Sequence, residues 1–259
     1  MSSSRLIISV SSFYIVIIGA FIFYLYSLPA IEDEIQRASK MHEDKDYRQA
    51  IEIYDNVIEQ YPWHFPALFN KGLALMRLGQ FELAYQFFNE AMQLEPDDPR
   101  VIVQIANVLS KLGRFQEAID MISRIGKDDP YYLMARHNLG CFKEKLGAYD
   151  EALTILREVV RADTTYTTGF ISLGRVLNKA ARPEEALASY SKAKLIDSSN
   201  HHIAYAMAKI HAQLGNHEQV FELLSDAAKY SSDIATRIRA DADFSHLSED
   251  DLVLITSNP

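Results

Sequence analysis

The chain has a single cysteine, Cys141, among 259 residues. One thiol excludes both an intramolecular disulfide framework and a cysteine-rich zinc site. The sequence also lacks a His-Glu-x-x-His pair, a phosphate-binding loop, a dinucleotide-binding fingerprint and a nucleophile elbow. We therefore predict that the protein is not an enzyme and that it holds no metal and no cofactor.

Basic residues are in deficit, with 26 Lys and Arg against 35 Asp and Glu and a formal net charge of −9. Because contacts to phosphate need Lys and Arg, this balance argues against nucleic acid as a partner. Glycine and proline are present in ordinary numbers, and 48% of the residues are hydrophobic, so the chain can bury a sizeable core. The composition predicts an acidic, globular protein.

Charged residues are absent from Leu6–Leu28. At roughly 1.5 Å per residue, a helix of this length spans the ~30 Å hydrocarbon core of a bilayer. The alternative is a cleaved secretory signal, whose apolar region is typically ~7–15 residues and which ends at a small-x-small site. The run is longer than that and no such site follows, so we predict an uncleaved anchor over about residues 6–28, within an N-terminal segment 1–30.

Small side chains recur with a period of thirty-four residues. Small residues at positions 8 and 20 of the period allow two antiparallel helices to approach closely. Glycine at position 15 allows the positive φ at which a first helix ends. The series are Ala38, Gly72, Ala106, Gly140, Gly174 and Ala208 at position 8; Lys45, Gly79, Gly113, Gly147, Ala181 and Gly215 at position 15; and Ala50, Ala84, Ala118, Ala152, Ala186 and Val220 at position 20.

This pattern resembles the tetratricopeptide repeat (TPR) family over Ile31–Ile234, and Phe65–Asp98 resembles one complete repeat. The resemblance implies an all-α fold: a right-handed α-solenoid of about six helix–turn–helix repeats, preceded by the transmembrane helix. A capping helix and tail are expected over 235–259. The implied repeats are 31–64, 65–98, 99–132, 133–166, 167–200 and 201–234.

Prolines and one serine predict where helices end and begin. Pro62, Pro96 and Pro130 are expected to end the second helices of the first three repeats. Pro183 is expected in the first turn of a second helix, where proline is tolerated. Ser248 is followed by acidic residues and predicts the N-cap of a last helix.

In the TPR family the first helices of the repeats line a concave groove, to which positions 2, 5, 6, 9 and 12 point. A ladder of amides at position 6 can donate to and accept from the backbone of an extended peptide. The alternative is that these are ordinary solvated polar positions. The predicted peptide-binding residues are Asn70, Arg100, Gln104, Asn107, His137, Asn138, Arg175, Asn178 and Lys209.

Two functions remain open. The first is a membrane-anchored adaptor that binds an extended segment of a partner protein in this groove and aids assembly of an envelope protein complex. Arg5 precedes the apolar run and acidic residues follow it, which favours a bacterial inner-membrane protein with a periplasmic TPR domain. The opposite topology would make it a cytoplasm-facing adaptor. The second function is a structural scaffold that self-associates or docks through its convex face.

Overall fold

The computed structural model describes residues 30–231 and 233–257. All regular secondary structure in these ranges is helical, in agreement with the predicted all-α fold. Within the same ranges, no helix is both long and apolar enough to cross a lipid bilayer. The predicted anchor, Leu6–Leu28, lies outside the described residues.

Helices alternate with short turns along the chain. The first, α1, covers residues 30–43. Those that follow are α2 (Tyr47–Gln60), α3 (Phe65–Arg77), α4 (Phe81–Leu94), α5 (Pro99–Lys111), α6 (Phe115–Ile122), α7 (Tyr132–Lys145), α8 (Tyr149–Ala162), α9 (Thr167–Lys179), α10 (Pro183–Ile196), α11 (His201–Gln213), α12 (His217–Ala228), α13 (Ile234–Ala240) and α14 (Glu249–Ser257). The described residues form two compact units, divided between Arg114 and Phe115.

In the first unit, α3 packs against α2 and α4, and α4 packs against α5. The core includes Tyr54, Leu68, Phe88 and Ile105, all fully buried. A Cβ atom at Gly72 would lie 2.6 Å from the Phe88 ring, closer than real Cβ contacts. The small residue at position 8 is therefore needed for the aromatic ring at position 24 to pack against the first helix.

Position 15 of the period has positive φ wherever it occurs, as the sequence predicts. The glycines there, such as Gly79 and Gly147, have φ of 74° and 77°. Lys45 and Ala181 take φ of 65° and 56° without the conformational freedom of glycine. Because a side chain in this region crowds its own backbone, these two turns hold local strain that the glycine turns avoid.

In the second unit, α7 packs with α8, α9 with α10, and α11 with α12. Pro183 occupies the first turn of α10, as predicted. The tail packs against the last pair, where Ile238, Phe244 and Ile255 are buried in one cluster with Leu224.

The prediction that Pro130 ends the second helix of the third repeat is wrong, because α6 has eight residues and ends at Ile122. The hydroxyl of Ser123 donates to the carbonyl oxygen of Ile119 at 2.7 Å. The backbone then turns at Gly126, whose carbonyl accepts from the N–H of Asp129 at 3.2 Å. Serine and glycine together favour a turn over continuation of the helix, and they precede the proline.

Ser248 begins α14 as predicted. Its hydroxyl accepts from the N–H of Asp251 at 3.2 Å, and the Asp251 carboxylate accepts from the N–H of Ser248 at 2.8 Å. This reciprocal arrangement is a capping box that satisfies two backbone donors at the start of the helix.

Candidate protein-interaction surface

The first unit carries four of the predicted groove residues, Asn70 on α3 and Arg100, Gln104 and Asn107 on α5. Asn70 and Gln104 occupy the same repeat position on two first helices that contact each other. Both are half-buried, and within residues 30–231 and 233–257 neither side-chain amide has a hydrogen-bond partner. Two amides on one surface are therefore available to a ligand.

Arg100 is held by an acid at the start of its own helix. Its guanidinium lies 2.5 Å from the carboxylate of Asp98, which caps α5 by accepting from the Arg100 N–H at 2.8 Å. The hydrogen bond from Arg100 is the largest influence on Asp98, whose pKa lies below its ordinary value. The guanidinium also lies 5.4 Å from the centre of the Phe65 ring. The positive charge of Arg100 is thus largely compensated within the chain.

In the second unit, α7 and α9 meet through a polar cluster. His137 Nε2 lies 2.9 Å from the hydroxyl of Ser172, a hydrogen-bond distance. Cys141 Sγ lies 3.7 Å from the same His137 nitrogen and 3.8 Å from Arg175 Nη2. Burial raises the pKa of the Cys141 thiol, but the hydrogen bond and charge of His137, with Ser172 and Arg175, outweigh it and leave the pKa below its ordinary value.

One helical turn further along, the carboxylate of Glu144 is fully buried between two cations. Arg175 Nη1 lies 2.7 Å from it and Lys179 Nζ lies 3.0 Å from it, both from α9. The predicted set omits Glu144, although it is the acid that holds Arg175. A sequence signal exists in the spacing of thirty-one residues, which joins position 12 of one first helix to position 9 of the next.

Lys209 on α11 lies near the tail of the chain. Its ammonium lies 2.8 Å from Asp241 and 3.0 Å from Asp243. Tyr205 donates its hydroxyl to Asp241 at 3.0 Å, and burial, followed by this acid, raises the pKa of Tyr205 to about 12. The polar face of α11 is therefore occupied by residues of the same chain.

Asn138 on α7 and Asn178 on α9 complete the predicted set, and both are half-buried. The structure thus brings His137, Arg175 and Lys209 into contact with partners from their own unit, and leaves the amides of Asn70 and Gln104 unpaired within the described ranges. Peptide binding by these residues stays a prediction.

Comparison with known proteins identifies the repeats. Three family models, each described as tetratricopeptide repeat, match residues 44–99, 75–139 and 133–162. Residues 44–162 belong to the tetratricopeptide repeat family. TPR helix pairs are scaffolds for protein–protein interaction, and helices α7–α12 of the second unit continue the same period.

Two curated relatives match part of this chain. Tetratricopeptide repeat protein 13 of Homo sapiens is 30% identical over 96 residues, which is 35% of this chain and 11% of that protein. Small glutamine-rich tetratricopeptide repeat-containing protein 2 of Mycosarcoma maydis is 30% identical over 101 residues, or 39% of this chain and 28% of that protein. The chain thus matches less than a third of the length of either relative.

Two solved structures share the fold over most of the chain. The crystal structure of PilW has a TM-score of 0.70 at 18% identity and covers 84% of this chain and 97% of its own. The structure of pilF from Pseudomonas aeruginosa has a TM-score of 0.66 at 14% identity and covers 84% and 96%. At these identities the likeness establishes a common TPR fold.

Proposed function

We propose that this chain is a membrane-anchored adaptor that binds an extended segment of a partner protein on the first-helix face of its repeats and aids assembly of an envelope protein complex. The observation that carries the proposal is the pair of half-buried amides of Asn70 and Gln104 on α3 and α5. Each carboxamide can donate and accept, so each can satisfy both an N–H and a C=O of an extended backbone.

Energetics favour this use of the amides. A polar group that is partly removed from water without a partner costs free energy, and a bound backbone would offset that cost. Each new hydrogen bond would contribute about 0.5–1.5 kcal/mol. Recognition through the backbone carries little sequence preference, which suits an adaptor for unstructured segments.

The cations contribute less than the sequence suggests. Arg100 is paired with Asp98, Arg175 with Glu144, and Lys209 with two acids of the tail. A partner carboxylate would have to displace an acid that is already in place. The proposal therefore rests on the amides and not on attraction of an acidic peptide.

The membrane part of the proposal rests on the uncharged run Leu6–Leu28 and on Arg5 before it. It places the protein in the bacterial inner membrane as a single-pass protein with its TPR domain in the periplasm. The role in assembly is supported by the fold shared with PilW, which is described as a widely conserved type IV pilus biogenesis factor.

A pair of double variants tests the peptide site. Asn70→Ala with Gln104→Ala removes both amides, and Asn56→Ala with Gln93→Ala is the matched control on the exposed surfaces of α2 and α4. We expect partners captured from native membranes by the full-length protein to be lost with the first variant and kept with the second. Circular dichroism of both variants checks that they fold.

A photo-crosslinking amino acid gives an independent result. At position 104 it should form an adduct with a discrete partner, whereas at position 93 it should form none. Capture of the same proteins by both double variants, with no adduct at position 104, would exclude the first-helix face as the binding surface.

Location is tested separately. The full-length protein should resist extraction from membranes at alkaline pH, and deletion of residues 6–28 should release it. Alkaline phosphatase fused after residue 259 should be active, because that enzyme folds only outside the cytoplasm. An inactive fusion of a membrane-bound protein would indicate the opposite topology, with a cytoplasm-facing adaptor.

A further inference from the structure

The second unit has an apolar groove between α8 and α10, on the surface formed by second helices. Its volume is about 670 Å³, and its floor includes Val160 from α8 and Phe170 and Leu173 from α9. Leu195 on α10 forms one edge and is 86% exposed, more than any other large apolar side chain described. We call this surface the α8–α10 groove. It is separate from the first-helix face proposed to bind a peptide.

The rim of the α8–α10 groove is basic, although the chain as a whole is acidic. Arg161 and Lys192 are both exposed, and Lys192 Nζ lies 5.6 Å from the centre of the Phe170 ring. Within the described ranges no carboxylate forms an ion pair with either residue, whereas Arg157, further along the rim, is paired with Glu185 at 3.1 Å. The groove is therefore suited to an apolar segment that carries carboxylates beside it.

The tail of the chain presents such a segment. Helix α14 packs against the second unit through Leu252 and Ile255, both buried. Its outward face carries Asp250, Val253 and Leu254, which share one side because they are spaced i, i+3 and i+4. Val253 and Leu254 are 60% and 56% exposed, and Asp250 is exposed in the turn before them.

We propose that the α8–α10 groove of one molecule binds the outward face of α14 of a second copy. Val253 and Leu254 would cover the floor at Phe170 and Leu173, while the carboxylate of Asp250 would approach the basic rim. Apolar burial stabilises the contact and the charges fix its direction.

The contact cannot form within one molecule in this conformation, because Leu195, Val253 and Leu254 are all exposed in the same unit. The groove and α14 are also different surfaces, so the association is head-to-tail. A contact of this kind leaves one unused groove and one unused α14 on every dimer, and it grows further unless a ring closes.

Two single substitutions test the proposal in the full-length chain, purified in a mild detergent. Leu195→Glu places a charge in the groove, and Leu254→Glu places one on α14. Leu83→Glu on α4 of the first unit is the matched control, since Leu83 is 45% exposed. Sedimentation velocity over a concentration series measures self-association, and circular dichroism checks the fold.

We expect the wild-type protein and the Leu83→Glu variant to associate with rising concentration. Each of the other two variants should associate roughly tenfold or more weakly. A mixture of the Leu195→Glu and Leu254→Glu chains should form a one-to-one dimer that grows no further, because each chain keeps one intact half of the contact.

Three outcomes would overturn the proposal. A wild-type protein that stays monomeric assigns the groove to a different protein. Unchanged association of both variants places self-association elsewhere, for example in the first thirty residues. Failure of the mixture to dimerise shows that the contact is not head-to-tail between these two surfaces. None of these outcomes bears on peptide binding by Asn70 and Gln104.

Discussion

The carboxylate of Glu144 is fully buried and lies 2.7 Å from the guanidinium of Arg175 on the neighbouring first helix. Lys179 contacts the same carboxylate at 3.0 Å. Two partly exposed cations thus compensate one buried acid, and they join α7 to α9. Because the acid is out of contact with water, its partners matter more than those of a surface ion pair.

Removal of both cations should therefore destabilise the second unit strongly. Arg175→Met with Lys179→Met leaves a buried carboxylate unpaired, which we expect to cost about 3–5 kcal/mol. Arg182→Met is the control, since it breaks an exposed pair with Glu185 and should cost under about 1 kcal/mol. Thermal and urea unfolding followed by circular dichroism measure the difference. Equal losses for the two changes would contradict the structural role of the pair.

The positive φ of Ala181 predicts a stabilising substitution. Ala181→Gly should raise stability by about 0.5–1 kcal/mol, because glycine adopts this conformation without crowding. The reverse change at an equivalent turn, Gly147→Ala, should lower stability by about 1–2 kcal/mol. Unfolding midpoints compare both variants with the wild type. A destabilised Ala181→Gly protein would show that the turn is not strained.

The lowered pKa of Cys141 predicts a reactive thiol at neutral pH. A lower pKa means a larger thiolate fraction at pH 7 than an ordinary cysteine, with pKa about 8.5, would have. His137→Ala removes the hydrogen bond that favours the thiolate, so the midpoint of alkylation by iodoacetamide should move to higher pH. His217→Ala, on α12, is the control and should leave it in place. A midpoint that His137→Ala does not move would contradict this role for the histidine.

The contact between Lys209 and Asp241 predicts a pH dependence for docking of the tail. Burial raises the pKa of Asp241, but the hydrogen bonds from Lys209, the Asp243 backbone and Tyr205 outweigh it, so the pKa is lowered on folding. Its stabilising contribution is therefore fully present above about pH 4, the ordinary value, and is lost as the pH falls through the folded-state pKa.

Asp241→Asn should remove this contribution at neutral pH and speed hydrogen exchange in α13 and α14. Asp128→Asn, in an exposed turn, is the control and should leave the exchange of the tail unchanged. Equal exchange of the tail in wild type and Asp241→Asn at pH 7 would show that the ion pair does not hold it.

The sequence by itself determined the repeat. The period of thirty-four residues, the small residues at positions 8 and 20, the positive φ at position 15 and the start of α10 at Pro183 are all found in the structure. These features depend on local backbone preference and on packing between successive helices. Each is encoded by the type of residue at its own position, as Gly72 beneath the Phe88 ring shows.

The tertiary structure decided which charges and amides a partner could reach. Arg175 and Lys209 look available in the sequence, but Glu144 and Asp241 hold them, from positions about one repeat away. The early end of α6, the apolar groove between α8 and α10 and the outward face of α14 also emerged only there. They arise where side chains of non-adjacent helices meet or fail to meet, and the repeat pattern specifies the stacking of the helices but not the pairing of the side chains between them.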